Sequence, residues 1–178
     1  MRFAVADPPY PGQSKKHYAD HPDYAGEVDH AELVEQLTAY DGWALHTSSV
    51  ALRDVLPLCP PGVRVGAWVR PFAAFKRNVK VAYAWEPLFV APVRAAEPNR
   101  IHSMVYRDFL AESITMKRGL AGAKPERFCW CLFEIAGLSP DDDFEDLFPG
   151  TGAVARAHET WKQRLAYGKA EQIEMETA

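Results

Sequence analysis

Arg2-Phe3-Ala4-Val5-Ala6-Asp7-Pro8-Pro9-Tyr10 is the stretch on which the reading of this chain turns. Residues Arg2 to Ala6 form a short apolar run, which predicts a buried strand. Pro8 and Pro9 end it, because neither carries an amide donor and both fix their backbone. Frozen backbone then holds an acidic acceptor, a rigid carbonyl and an aromatic ring close together. Those are the parts that hold a flat base by its amino group: carboxylate and carbonyl accept the two hydrogens and the ring stacks. The same four residues, taken alone, fit equally well a proline-rich turn with Tyr10 on the surface.

Working outward, residues 11–29 are polar and rich in Gly, Pro, His, Tyr and Asp. They read as one long loop, a type that is usually functional or disordered. Asp29 is a candidate N-cap for a helix over His30–Tyr40, with Leu33, Val34 and Leu37 on one face. Trp43–Thr47 predicts a second strand, and Ser48 or Ser49 a cap for a short helix reaching Leu56. After the turn Cys59-Pro60-Pro61-Gly62, strands are predicted over Val63–Val69 and over Val79–Val90 with a break at Pro87. Residues 91–123 read as irregular, with a short helix near Tyr106–Glu112. Pro125 suits the first turn of a helix that Gly137 ends near Ala136.

Near the other end, Phe144–Phe148 predicts a fifth strand that runs into Pro149-Gly150-Thr151-Gly152 and a helix over Ala153–Leu165. Two glycines let backbone approach a ligand closely. No lysine follows, so this is not a phosphate-binding Gly-Lys-Ser/Thr loop. Alanine stands at position 155, where the dinucleotide fingerprint has its third glycine, a replacement which that fingerprint tolerates. Alternating strands and helices predict an α/β three-layer sandwich with a mostly parallel sheet, in which ligands bind beyond the carboxyl ends of the strands. Both motifs fall at such ends. Residues 1–167 are expected to form one domain and 168–178 a polar, frayed tail.

Charge adds a local signal. The net charge is −4, yet no acidic residue occurs from Val55 to Trp85, where Arg64, Arg70, Lys76, Arg77 and Lys80 lie. Charge alone favours an ordinary solvated surface over a phosphate-binding face. Cys59, Cys129 and Cys131 lack metal-ligand spacing and read as reduced thiols, so no metal is expected. The apolar runs are too short for a membrane span, and the N-terminus reaches Asp7-Pro8-Pro9 too soon for a signal peptide. A cytoplasmic location is the resulting expectation.

Taken together, the two motifs resemble those of the permuted N6-adenine methyltransferases, in which the Asp-Pro-Pro-Tyr/Trp strand comes first and the glycine turn last. Three further pieces are similar: Ala67-Trp68-Val69-Arg70, Ala84-Trp85-Glu86-Pro87-Leu88-Phe89-Val90 and Lys124-Pro125-Glu126. The branch they look most like holds the messenger-RNA adenosine methyltransferases and their phage and bacterial DNA-modifying relatives. The resemblance implies a Rossmann-like methyltransferase fold, S-adenosylmethionine as cofactor and adenine-containing nucleic acid, DNA foremost, as partner. Asp7, Pro8, Pro9 and Tyr10 would form the catalytic element. Asp7, Lys124, Phe148, Pro149, Gly150 and Gly152 would hold the cofactor. Lys15, Lys16, His17, Arg70, Lys76 and Arg77 are the candidate phosphate contacts.

The pattern departs from the family after the glycine-turn helix. Two strands usually follow there, and an acid at the end of the first binds the cofactor ribose. Only a polar stretch follows Leu165, with Glu171, Glu174 and Glu176 as replacements for that acid. A minimal enzyme, an enzyme completed by a second subunit and a non-catalytic nucleic-acid-binding module of the same fold are the readings that remain. Methyl transfer to a small free amine is a further one.

Overall fold

The computed structural model describes residues 1–12, 26–71, 78–94, 106–114 and 123–176. Its strands are β1 (Arg2–Ala6), β2 (Gly42–His46), β3 (Arg64–Val69), β4 (Trp85–Ala91), β5 (Phe109–Ala111) and β6 (Asp143–Asp146). The helices are α1 (His30–Leu37), α2 (Leu52–Val55), α3 (Glu126–Ala136) and α4 (Ala153–Glu176), with a 3-10 turn at Leu56–Leu58. The strands form one sheet in the order β5-β3-β4-β2-β1-β6. β1 pairs in parallel with β2 and β6, and β3 with β5, while β4 runs antiparallel to both β2 and β3. The sheet is therefore mostly parallel, with one strand reversed.

β1 can lie inside the sheet, between β2 and β6, because it is apolar on both faces, and Phe3 to Ala6 are all fully buried. Side-chain alternation sorts the core into two layers. Phe3, Val5, Ala44, Trp68, Leu88 and Val90 face α3 and α4. Ala4, Ala6, Trp43, Leu45 and Phe89 face α1 and α2. The expected three-layer sandwich is the observed one.

The helices follow their local signals. The Asp29 carboxylate accepts from the amides of Ala31 and Glu32 and caps α1. Gly137, left-handed at φ 73°, ends α3. On that side of the sheet Phe133 packs edge-on against Phe144 and His158 and also touches Trp161, so α3, β6 and α4 close over one aromatic cluster.

Several boundaries differ from expectation. α1 stops at Leu37, and residues 38–40 close with tighter i→i−3 bonds. β4 begins only at Trp85 and passes through Pro87. That proline is tolerated because its N side faces the place where β2 has already ended, and its carbonyl accepts from Thr47 N–H. The helix expected at Tyr106–Glu112 is instead the edge strand β5, held to β3 by Ala67 N–H to the Asp108 carbonyl and Glu112 N–H to the Val69 carbonyl. β6 spans Asp143–Asp146 rather than residues 144–148. α4 continues to Glu176, through the stretch expected to fray. Among the described residues no strand follows α4, and β6 is an edge of the sheet.

Candidate active site

The carboxyl ends of β1, β2, β3 and β6, together with the start of the reversed β4, bring one polar cluster to a single edge of the sheet. β1 delivers Asp7 and Tyr10, β3 delivers Trp68 and Arg70, and β4 delivers Glu86. Lys124 arrives from the turn before α3. Its side chain is buried, with Nζ 2.9 Å from Asp7 Oδ2 and 3.5 Å from Glu86 Oε2. The Tyr10 hydroxyl donates to Glu86 Oε2 at 2.8 Å, and Arg70 Nη1 donates to Glu86 Oε1 at 2.8 Å. Glu86 thus joins the first motif to the strand ending in Trp-Val-Arg. Trp68 forms the floor of the cluster: Lys124 Nζ lies 5.1 Å from its ring centroid, and its indole N–H donates to the Glu112 carbonyl at 2.8 Å.

The electrostatics follow from burial and pairing. Burial alone pulls the Lys124 pKa down. The Asp7 and Glu86 carboxylates outweigh that and leave it raised, so the ammonium stays charged. Burial, then the charges of Asp7 and Glu86, push the Tyr10 phenol far up, so it stays protonated and donates to Glu86. Fully buried His46 is held well below the usual imidazole range, first by desolvation and then by Lys124, so it is neutral near pH 7. Neither of its ring nitrogens has a partner, and the ring leans on Phe128. Burial pushes the Cys129 thiol up to about 12, which leaves it inert.

The second motif lies beside the first because β6 pairs with β1, with Val5 opposite Asp146. Gly150 and Gly152 have φ of +46° and +70°, backbone that a side chain would strain. Between them the turn closes as Gly152 N–H donates to the Pro149 carbonyl. Asp146 Oδ1 accepts from Phe148 N–H at 3.3 Å, while its buried Oδ2 has no partner. Desolvation, with the nearby Asp7, raises the Asp146 pKa.

Of the residues expected from sequence, Asp7, Tyr10, Lys124 and Arg70 meet in this cluster, and Phe148, Pro149, Gly150 and Gly152 line the adjoining turn. Pro8 is buried and Pro9 half-buried within the first motif. Arg70 was expected to reach phosphate. Its guanidinium is instead folded back on Glu86 and the Tyr83 carbonyl. Lys15, Lys16, His17, Lys76 and Arg77 lie outside the described residues. Glu171, Glu174 and Glu176 fall in the last turns of α4. Sequence reasoning missed Glu86 as the hub, and also the orphaned acceptor of Asp146. The signal for Glu86 was present, since an acid that ends a stretch without acids and faces a buried strand needs a partner.

The chain matches no protein-family model and no curated protein. Solved structures do share its architecture. The structure titled PvuII DNA methyltransferase (cytosine-N4-specific) superposes with a TM-score of 0.60 at 14% identity, covering 90% of this chain and 71% of that one. A crystal structure of an M1.HpyAVI–SAM complex gives 0.59 at 12% identity, covering 91% and 78%. At such identities the likeness is one of fold, and the fold of this chain is that of the PvuII DNA methyltransferase.

Proposed function

We propose that this protein transfers a methyl group from S-adenosylmethionine to the exocyclic N6 of adenine in nucleic acid, with DNA as the favoured polymer. The observation that carries the reading is the Asp7–Lys124–Glu86–Tyr10 cluster, which lies beside a glycine turn on the strand next to β1. The residues fit the cofactor. With Glu86 paired to Arg70, two carboxylates (Asp7, Asp146) are left beside one cation (Lys124), which suits a ligand that carries a sulfonium and an ammonium. The unpartnered Asp146 Oδ2 is an acceptor for the ammonium, and the Gly150–Gly152 turn admits close approach of the ligand.

When bound, the cofactor supplies an electrophilic methyl group. The protein's residues do the remainder. Asp7 and the Pro8 carbonyl accept the two amino hydrogens and favour a tetrahedral nitrogen, which frees its lone pair from the ring. Tyr10 stacks on the base, its ring fixed by the bond to Glu86. Holding the reactants in line supplies much of the remaining acceleration. In a duplex the base must leave the stack. A fold neighbour titled as a DNA methyltransferase supports a nucleic-acid substrate. The motifs quoted from the sequence support adenine.

One finding favours a second reading, N4 of cytosine, because a fold neighbour is titled with that specificity. Both amines are conjugated to a ring and need the same two acceptors. The cofactor half of the proposal is tested by calorimetric titration with S-adenosylmethionine. The expected outcome is saturable one-site binding that Gly152→Val removes. No heat of binding would leave a nucleic-acid-binding module without catalysis.

A further inference from the structure

The α1/α2 layer covers the sheet only as far as Phe89 of β4. Beyond it, cross-strand register places Val65, Ala67 and Val69 of β3, Trp85 of β4, and Phe109 and Ala111 of β5 on the same face. No helix covers them among the described residues. Val65 and Phe109 are each 42% exposed and Trp85 is 38% exposed. None of these strand positions carries an ionisable side chain. Trp85 directly precedes Glu86, so the exposed face adjoins the Asp7 site, on the opposite side of the sheet from the Glu86 carboxylate.

We infer that this face is a stacking platform for unpaired bases flanking the target nucleotide. The inference rests on the nucleic-acid reading above and names where that polymer lies. An apolar face with two separated aromatic rings suits bases, because every base offers a π-face. Strand spacing of ~4.8 Å and a rise of ~3.3 Å per residue put Trp85 and Phe109 about 12 Å apart, so each takes a different base. Exposed Lys80, five residues before Trp85, and exposed Arg107, two before Phe109, are cations that suit phosphate. The Arg107 guanidinium lies 5.7 Å from the Phe109 ring centroid, which places a cation at that ring.

The test is fluorescence anisotropy with a labelled oligothymidylate, which contains no adenine and so does not depend on recognition of the target base. Trp85→Ala and Phe109→Ala are each expected to weaken binding by about fivefold or more. Trp85→Phe should keep most of the affinity, and all three variants should keep the parent's unfolding midpoint, since both rings are half in solvent. Lys80→Gln should lower the slope of log affinity against log salt, which the two aromatic variants leave unchanged. Parent protein that fails to bind oligothymidylate, or alanine variants that bind as the parent does, would overturn the inference. So would variants that lose self-association in sedimentation instead of strand binding, since the face would then serve a second copy of this chain. If stacking is confirmed but no methyl reaches adenine, the platform stands and the proposed reaction falls.

Discussion

Glu86 shows how one side chain can organise a site. Its two oxygens take Tyr10, Arg70 and Lys124, so it fixes the ring, neutralises a buried ammonium and gives Arg70 its place. Buried charge is tolerated only when paired. In the proposed reaction Glu86 is therefore a positioning residue. Glu86→Gln keeps an acceptor for Tyr10 but loses the charge that holds Arg70 and Lys124. We expect kcat to fall roughly ten- to hundredfold through misplacement of the base, while the Kd for S-adenosylmethionine hardly moves. Isothermal titration together with single-turnover rates separates the two. An equal loss in both would make Glu86 a cofactor contact instead. At this scale the sequence was partly legible. Asp7 and Tyr10 declare themselves because prolines isolate them. His46 and Thr47 end an ordinary apolar strand and give no such signal, although both are buried with polar atoms unsatisfied.

At the scale of elements, the legible ones carry their own terminators. β1 ends at two prolines, α1 starts at Asp29, and α3 ends at Gly137. β5 was misread because three residues are too few to show a period, and its pairing depends on β3, about forty residues earlier. The strand expected from Val79 failed differently. Regular pairing with β3 begins only at Trp85, opposite Val69, with the Ala84 carbonyl accepting from Arg70 N–H just before it. The β4 reversal could not be read from composition at all. It follows from register, which places Glu86 opposite Trp68 and so brings the amino end of β4 to the edge where the parallel strands end. That reversal makes Glu86 available to the site.

For the whole molecule, the two motifs are far apart in sequence and adjacent in space, because β1 takes β6 as its neighbour. One buried carboxylate ties these ends together. Asp142, just before β6, accepts from both Arg94 terminal nitrogens, from Ser139 N–H and from the Met1 ammonium. The Arg94 hydrogen bonds lead in holding its pKa well below the usual carboxylate range. A depressed folded-state pKa gives stability that is complete above the unfolded pKa, about 4, and lost as pH falls through the lower folded value. Asp142→Asn should therefore cost roughly 1.5–3 kcal/mol at neutral pH. It should also make stability decline less steeply below pH 4, as read by urea unfolding across pH. An unchanged acid limb would mean that other carboxylates set it.

The molecule shares the fold of the PvuII DNA methyltransferase, and the reaction proposed for it turns on what its Asp7 site does with an amine. The most direct measurement incubates the protein with S-adenosylmethionine labelled in its methyl group and single-stranded and duplex DNA, then identifies the labelled nucleoside after digestion. The account predicts label on N6 of adenine, and a loss of at least about a hundredfold in the rate with Asp7→Asn. Label on N4 of cytosine would contradict the adenine assignment, and an Asp7→Asn variant as fast as the parent would contradict the mechanism.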